Sequence, residues 1–101
     1  MSAGKAAAQA AHAAVAAALS AQGTAAFRAW LDDGQPKVVL RVATAEALDD
    51  VAAAAERHGL PVQTIADAGR TQLDAGTMTC CAIGPADTGE IDVVTGELPL
   101  Y

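Results

Sequence analysis

The spacing of apolar and polar positions changes several times along the chain, and each change marks an element. From Lys5 to about Ala21 the sequence is almost all alanine, broken by Gln9, His12 and Ser20 and carrying Val15 and Leu19. Near-maximal helix propensity, with Gly23 just beyond as a stop, predicts one long helix. A short second helix is expected over Thr24–Leu31, capped by Thr24, with Phe27 and Trp30 on one side. Asp32-Asp33-Gly34-Gln35-Pro36 has turn chemistry. The β-branched run Lys37-Val38-Val39-Leu40-Arg41-Val42 is expected as a strand. Thr44 opens a helix anchored by Leu48 and Val51 that runs to His58, and Gly59 closes it. Pro61–Ala66 follows as a second strand; the helical crossover predicts that it is parallel to the first, in one sheet. A tight region, Asp67–Gln72, leaves its carboxyl end, and Leu73–Gly76 makes another turn. Thr77–Ile83 is a third strand, broken by Pro85, and Asp87–Val94 is a last short helix. The expectation is one α/β domain over residues 1–101, a three-layer sandwich with helices on both faces of a sheet of which three strands are visible.

Composition narrows the class. Hydrophobic residues make up 52% of the 101 positions, but alanine dominates them, and the aromatics are Phe27, Trp30 and Tyr101 alone. The bulk of any core must come from Val, Leu and Ile in the second half of the chain. No run approaches the ~18 bulky apolar residues of a membrane span, and the start lacks a basic segment followed by a bulky apolar stretch, which argues against a secretory signal. The adjacent pair Cys80-Cys81 supplies no disulfide framework, so a reducing, cytoplasmic setting is expected. Six basic against 12 acidic residues give a net charge of −6. That balance opposes indiscriminate nucleic-acid coating while allowing a local basic site.

Two constellations bear on chemistry. Lys5, Gln9 and His12 are spaced four and three apart, within about 60° of one another on a helix otherwise built from alanine. An ordinary solvated face accounts for them; so does a ligand site, because Lys5 stands in the first turn, where the helix dipole favours an anion over a cation. The second group is Asp67, Arg70, Thr71 and Gln72, followed by Thr77 and Thr79. Asp67 falls beyond the carboxyl end of a strand, where open α/β sheets place ligands. A carboxylate, hydroxyls and a guanidinium suit water activation and the holding of a phosphate or carbonyl group; a plain turn with Gly69 at positive φ explains the same residues. No Cys-x-x-Cys, His-Glu-x-x-His, Walker loop or Gly-x-Ser-x-Gly occurs, which leaves zinc, nucleotide and serine-hydrolase chemistry without support.

Taken in order, Gly4-Lys5-Ala6-Ala7-Ala8-Gln9-Ala10-Ala11-His12-Ala13, Gly34-Gln35-Pro36-Lys37-Val38-Val39-Leu40, Asp67-Ala68-Gly69-Arg70-Thr71-Gln72 and Gly76-Thr77-Met78-Thr79 resemble the peptidyl-tRNA hydrolase 2 family. So do Ile83-Gly84-Pro85-Ala86 and Ile91-Asp92-Val93-Val94-Thr95-Gly96-Glu97-Leu98. The resemblance implies a mixed sheet with helices on both faces, and four strands rather than three. The additional one would be a short apolar N-terminal strand, central in the sheet, with no counterpart before Gly4; without it, its neighbours would face a gap of unpaired backbone groups. The chain as given is accordingly expected to start late, at an internal methionine.

The resemblance further implies hydrolysis of the ester between a peptide and the 3′ ribose of tRNA, in the cytoplasm, during rescue of stalled translation. It implies no metal or cofactor, no membrane, and homodimers in many members. It assigns catalysis to Lys5, Asp67, Thr71 and Thr79, and the substrate pocket to Gln9, His12, Arg70 and Gln72. Ester hydrolysis needs an oriented water, a proton acceptor and positive charge near the oxyanion or the terminal phosphates. Asp67 is expected to orient or deprotonate the water, Lys5 to supply charge, and Thr71 and Thr79 to hold the water and the carbonyl. Two other classes remain in view: a tRNA-end-binding adaptor without turnover, and a small-ligand regulatory domain with no tRNA affinity.

Overall fold

The computed structural model describes residues 1–66 and 77–101. The first helix, α1, spans Ala3–Ala21; Ser2 caps it, its hydroxyl accepting the Lys5 N–H at 3.2 Å. Helix α2, Ala25–Asp32, starts one residue beyond Thr24, whose Oγ1 accepts from the Phe27 N–H at 3.1 Å and donates to the Ala21 carbonyl at 2.7 Å. That one hydroxyl therefore ties the end of α1 to the start of α2. Helix α3, Ala45–Arg57, is capped by Thr44, which accepts from the Ala47 N–H at 3.0 Å. It closes through His58 and Gly59, the glycine supplying the positive φ of 73° that lets the Leu60 N–H fold back onto the Ala55 carbonyl. Strands β1, Val62–Ala66, and β2, Met78–Ile83, precede helix α4, Thr88–Thr95, at whose start the Asp87 carboxylate accepts from the Glu90 N–H. Each element agrees with its expected span to within two residues at either end.

The sheet among the described residues has two strands, not three, and they run antiparallel. Residues 37–42 are the exception to the sequence pattern. They do not pair with β1; their one bridge joins Leu40 to Leu100, flanked by Arg41 N–H to Pro99 O at 3.0 Å and Tyr101 N–H to Val39 O at 2.9 Å. A helical crossover puts two strands in one sheet but does not make them neighbours. Here β1 is paired with β2, and the first run pairs instead with the C-terminal tail. Val38 and Val39 stay 69% and 48% exposed, so little burial draws that run into the sheet. An apolar cleft of about 390 Å³ lies between it and α1, lined by Ala6, Ala7, Ala10, Val39, Leu100 and Tyr101.

Two contacts orient α1 on the sheet. The Cys80 thiol donates to the Gln9 carbonyl at 3.4 Å, and the Gln63 amide reaches the Ser20 hydroxyl at 3.2 Å. Since Gln63 stands opposite Ala82 and Ile65 opposite Cys80, the face carrying Gln63, Ile65, Cys80 and Ala82 is the one under α1. α3 covers the other face and α4 packs on α3, which makes the three layers of the α/β sandwich. Among the described residues the apolar core is small in side-chain bulk: Ala13, Ala17 and Ala21 from α1, Ala52 and Ala55 from α3, with Leu60 and Ile65 the larger members. Alanine lets the backbones approach closely, at the expense of buried apolar area.

Candidate active site

Of the eight residues singled out in the sequence, Lys5, Gln9, His12 and Thr79 lie within the described part. Asp67, Arg70, Thr71 and Gln72 lie outside it, in the segment that leaves the end of β1. Lys5 and Gln9 are half-buried one turn apart on α1, while His12, one turn further, is exposed. Thr79 is half-buried near the start of β2.

The bond from Cys80 to Gln9 brings these together. It sets Gln9 beside the residue that follows Thr79, and the Gln63–Ser20 bond fixes the opposite end of the helix further along β2. α1 therefore runs in the direction of β2, and Lys5, N-terminal to Gln9, falls at the same end of the sheet as Thr79. Ala66, the last residue of β1, faces Met78 at that end. That end, where the described part of β1 stops at Ala66, is thus shared by the N-terminal half of α1 and by Thr79.

Thr79 occupies its place through an irregularity. Cys80 pairs with Ile65 but Met78 pairs with Ala66, so Thr79 is one extra residue in β2. A bulge of this kind re-aims side chains and breaks the strict alternation of faces. The Thr79 hydroxyl donates to the Ile65 carbonyl at 3.2 Å, which holds the side chain over the end of the sheet.

Two contributors were not assigned to the site from the sequence. Ser2 fixes the backbone of Lys5 through its cap, a role legible in a serine three residues ahead of the lysine at a helix start. Cys80 joins β2 to α1 through its thiol, and no sequence signal marks that bond. Burial pushes the Cys80 thiol up from its ordinary range; burial and then the neighbouring Cys80 do the same for Cys81. Both are thus held as thiols at neutral pH, donors rather than nucleophiles.

A capped, alanine-built helix set against a short sheet, with lysine, glutamine and threonine toward the end at which β1 stops, defines an α/β domain with polar side chains at one end of its sheet. Comparison with known proteins makes this specific. The peptidyl-tRNA hydrolase PTH2 family matches residues 1–101. The chain is similar to peptidyl-tRNA hydrolases of Methanopyrus kandleri (48% identical, covering 99% of this chain and 87% of that one) and Metallosphaera sedula (47%, covering 99% and 89%). That of Halobacterium salinarum is 46% identical, covering 100% of this chain and 89% of its own length. The chain belongs to the PTH2 family of peptidyl-tRNA hydrolases.

Proposed function

We propose that this protein hydrolyses peptidyl-tRNA, freeing peptide and tRNA for reuse in translation, in the cytoplasm and as a homodimer. What supports the site assignment is that Lys5, Gln9 and Thr79 lie at the same end of the sheet, the end at which β1 stops one residue before Asp67. Asp67 takes a proton from a water, whose oxygen adds to the ester carbonyl. Lys5, with the Thr71 hydroxyl, stabilises the negative charge that develops on the carbonyl oxygen, while the Thr79 oxygen, whose proton goes to the Ile65 carbonyl, accepts from the attacking water and positions it. The bond from the carbonyl carbon to the ribose oxygen then breaks, and that oxygen takes up the proton held by Asp67, which returns to its carboxylate form. Gln9, His12, Arg70 and Gln72 hold the substrate around the reacting ester.

The test is release of an N-acetylated aminoacyl group from tRNA by the chain and by its Lys5→Ala and Asp67→Asn variants, with circular dichroism on the same samples. Removing a proton acceptor or a charge of this kind is expected to lower kcat by about 10²-fold or more with the fold intact. Near-normal turnover by Asp67→Asn would remove the aspartate from the role of base. A folded chain that binds tRNA without turnover would be an adaptor.

A further inference from the structure

A net charge of −6 sits awkwardly with a polyanionic substrate until the charges are placed on the layers. Residues 1–31 contain no aspartate or glutamate. The α1–α2 layer therefore carries Lys5 and Arg28, and meets carboxylates only where α2 ends, at Asp32 and Asp33. Even there a cation is returned: the Lys37 ammonium lies 5.3 Å from the centre of the Trp30 ring of α2 and donates to the Gln35 carbonyl at 2.7 Å. The opposite layer is the reverse. α3 bears Glu46, Asp49, Asp50 and Glu56, with Arg57 as its lone base. Asp87, Glu90, Asp92 and Glu97 follow in and beside α4, with no base among them.

We infer that the RNA of the substrate lies along the exposed side of α1, between Lys5 and Arg28, with the acidic α3–α4 layer turned away from it. Layer thickness decides the matter. A helix packed on each face of a sheet, at about 10 Å per layer, puts the carboxylates of α3 roughly 20 Å from a ligand on α1. That is about two Debye lengths at physiological salt, so their repulsion is largely screened while Lys5, Arg28 and Lys37 act at contact range. The solvent side of α1 is long enough to serve: its 19 residues extend about 28 Å. Ala8, Ala11, Val15 and Leu19 lie exposed along it, and His12 sits at its margin toward Lys5. This placement rests on the hydrolase reading above and adds to it the face by which the RNA approaches.

The test uses single charge changes on opposite layers. Ala11→Lys on α1 and Asp50→Asn on α3 each add one positive charge to the whole molecule, at exposed helical positions. With N-acetyl-aminoacyl-tRNA as substrate, Ala11→Lys is expected to lower KM several-fold and to steepen its log–log dependence on salt by about one. Arg28→Glu is expected to raise KM by roughly tenfold, Asp50→Asn to leave it within twofold, and kcat to stay level in all three. An Asp50→Asn effect equal to that of Ala11→Lys would overturn the inference, since net charge alone would then govern binding. So would conversion of a dimer to monomers by Ala11→Lys in light scattering, which would give the face to a second copy. Absence of turnover in the unsubstituted chain, with Arg28→Glu still weakening its binding of deacylated tRNA, would sink the hydrolase reading and uphold the face.

Discussion

Thr79 shows how much a single side chain owes to its backbone. One extra residue between the Ile65–Cys80 and Ala66–Met78 pairs re-aims it, and a bond to the Ile65 carbonyl holds it there. Such a hydroxyl can be replaced by another hydroxyl but not by a methyl. Thr79→Ser is expected to retain kcat within a few-fold, whereas Thr79→Val, nearly isosteric, should lose about 10²-fold, the usual cost of misplacing a reacting group such as the attacking water. Steady-state release from N-acetyl-aminoacyl-tRNA checks both, and equal rates for the two variants would remove Thr79 from the reacting centre. Cys80 is the counterpart on the neighbouring position. Its thiol, kept protonated by burial, is the direct link from β2 to the helix that carries Lys5 and Gln9.

Among the elements, helix starts are the best specified. Ser2, Thr24, Thr44 and Asp87 each cap a helix through a side-chain oxygen, and the caps at Thr24 and Thr44 were legible because threonine precedes an alanine-rich run in both places. Thr44→Ala is expected to cost about 1 kcal/mol by leaving the Ala47 N–H without its acceptor. Urea unfolding should register this as a lower midpoint with an unchanged slope. Strand partners were far less legible. The run 37–42 has strand composition, and so do 61–66 and 77–83, but composition does not say which strand lies beside which. The first run pairs with residues 99–101 across a sequence separation of about sixty, and nothing local in either segment announces it.

For the molecule as a whole, the alanine core sets the stability. Methyl groups on α1 and α3 bring the helices close to the sheet but bury little area, so the two bulky core residues, Leu60 and Ile65, carry a disproportionate share. Domains of this size are stable by about 5–15 kcal/mol, and truncating one buried leucine typically costs 2–5 kcal/mol. Leu60→Ala is therefore expected to remove about a third of the total at mid-range values and to shift thermal unfolding by roughly ten degrees or more on the scale for small domains. A shift of only a few degrees would mean that other apolar surface, such as the cleft beside Val39, holds more of the stability than its exposure indicates.

Helix positions, the α/β class, the division of charge along the chain and the motif residues of the site follow from the sequence alone. Helix periodicity, caps and charge are properties of neighbours in the chain. Pairing of residues 37–42 with the tail, the extra residue at Thr79, the Cys80–Gln9 bond and the placement of Lys5 and Thr79 at one end of the sheet were decided only by the tertiary structure. Each depends on a backbone group or a backbone register on at least one side, and a group common to all residues leaves no mark in the sequence of any one of them.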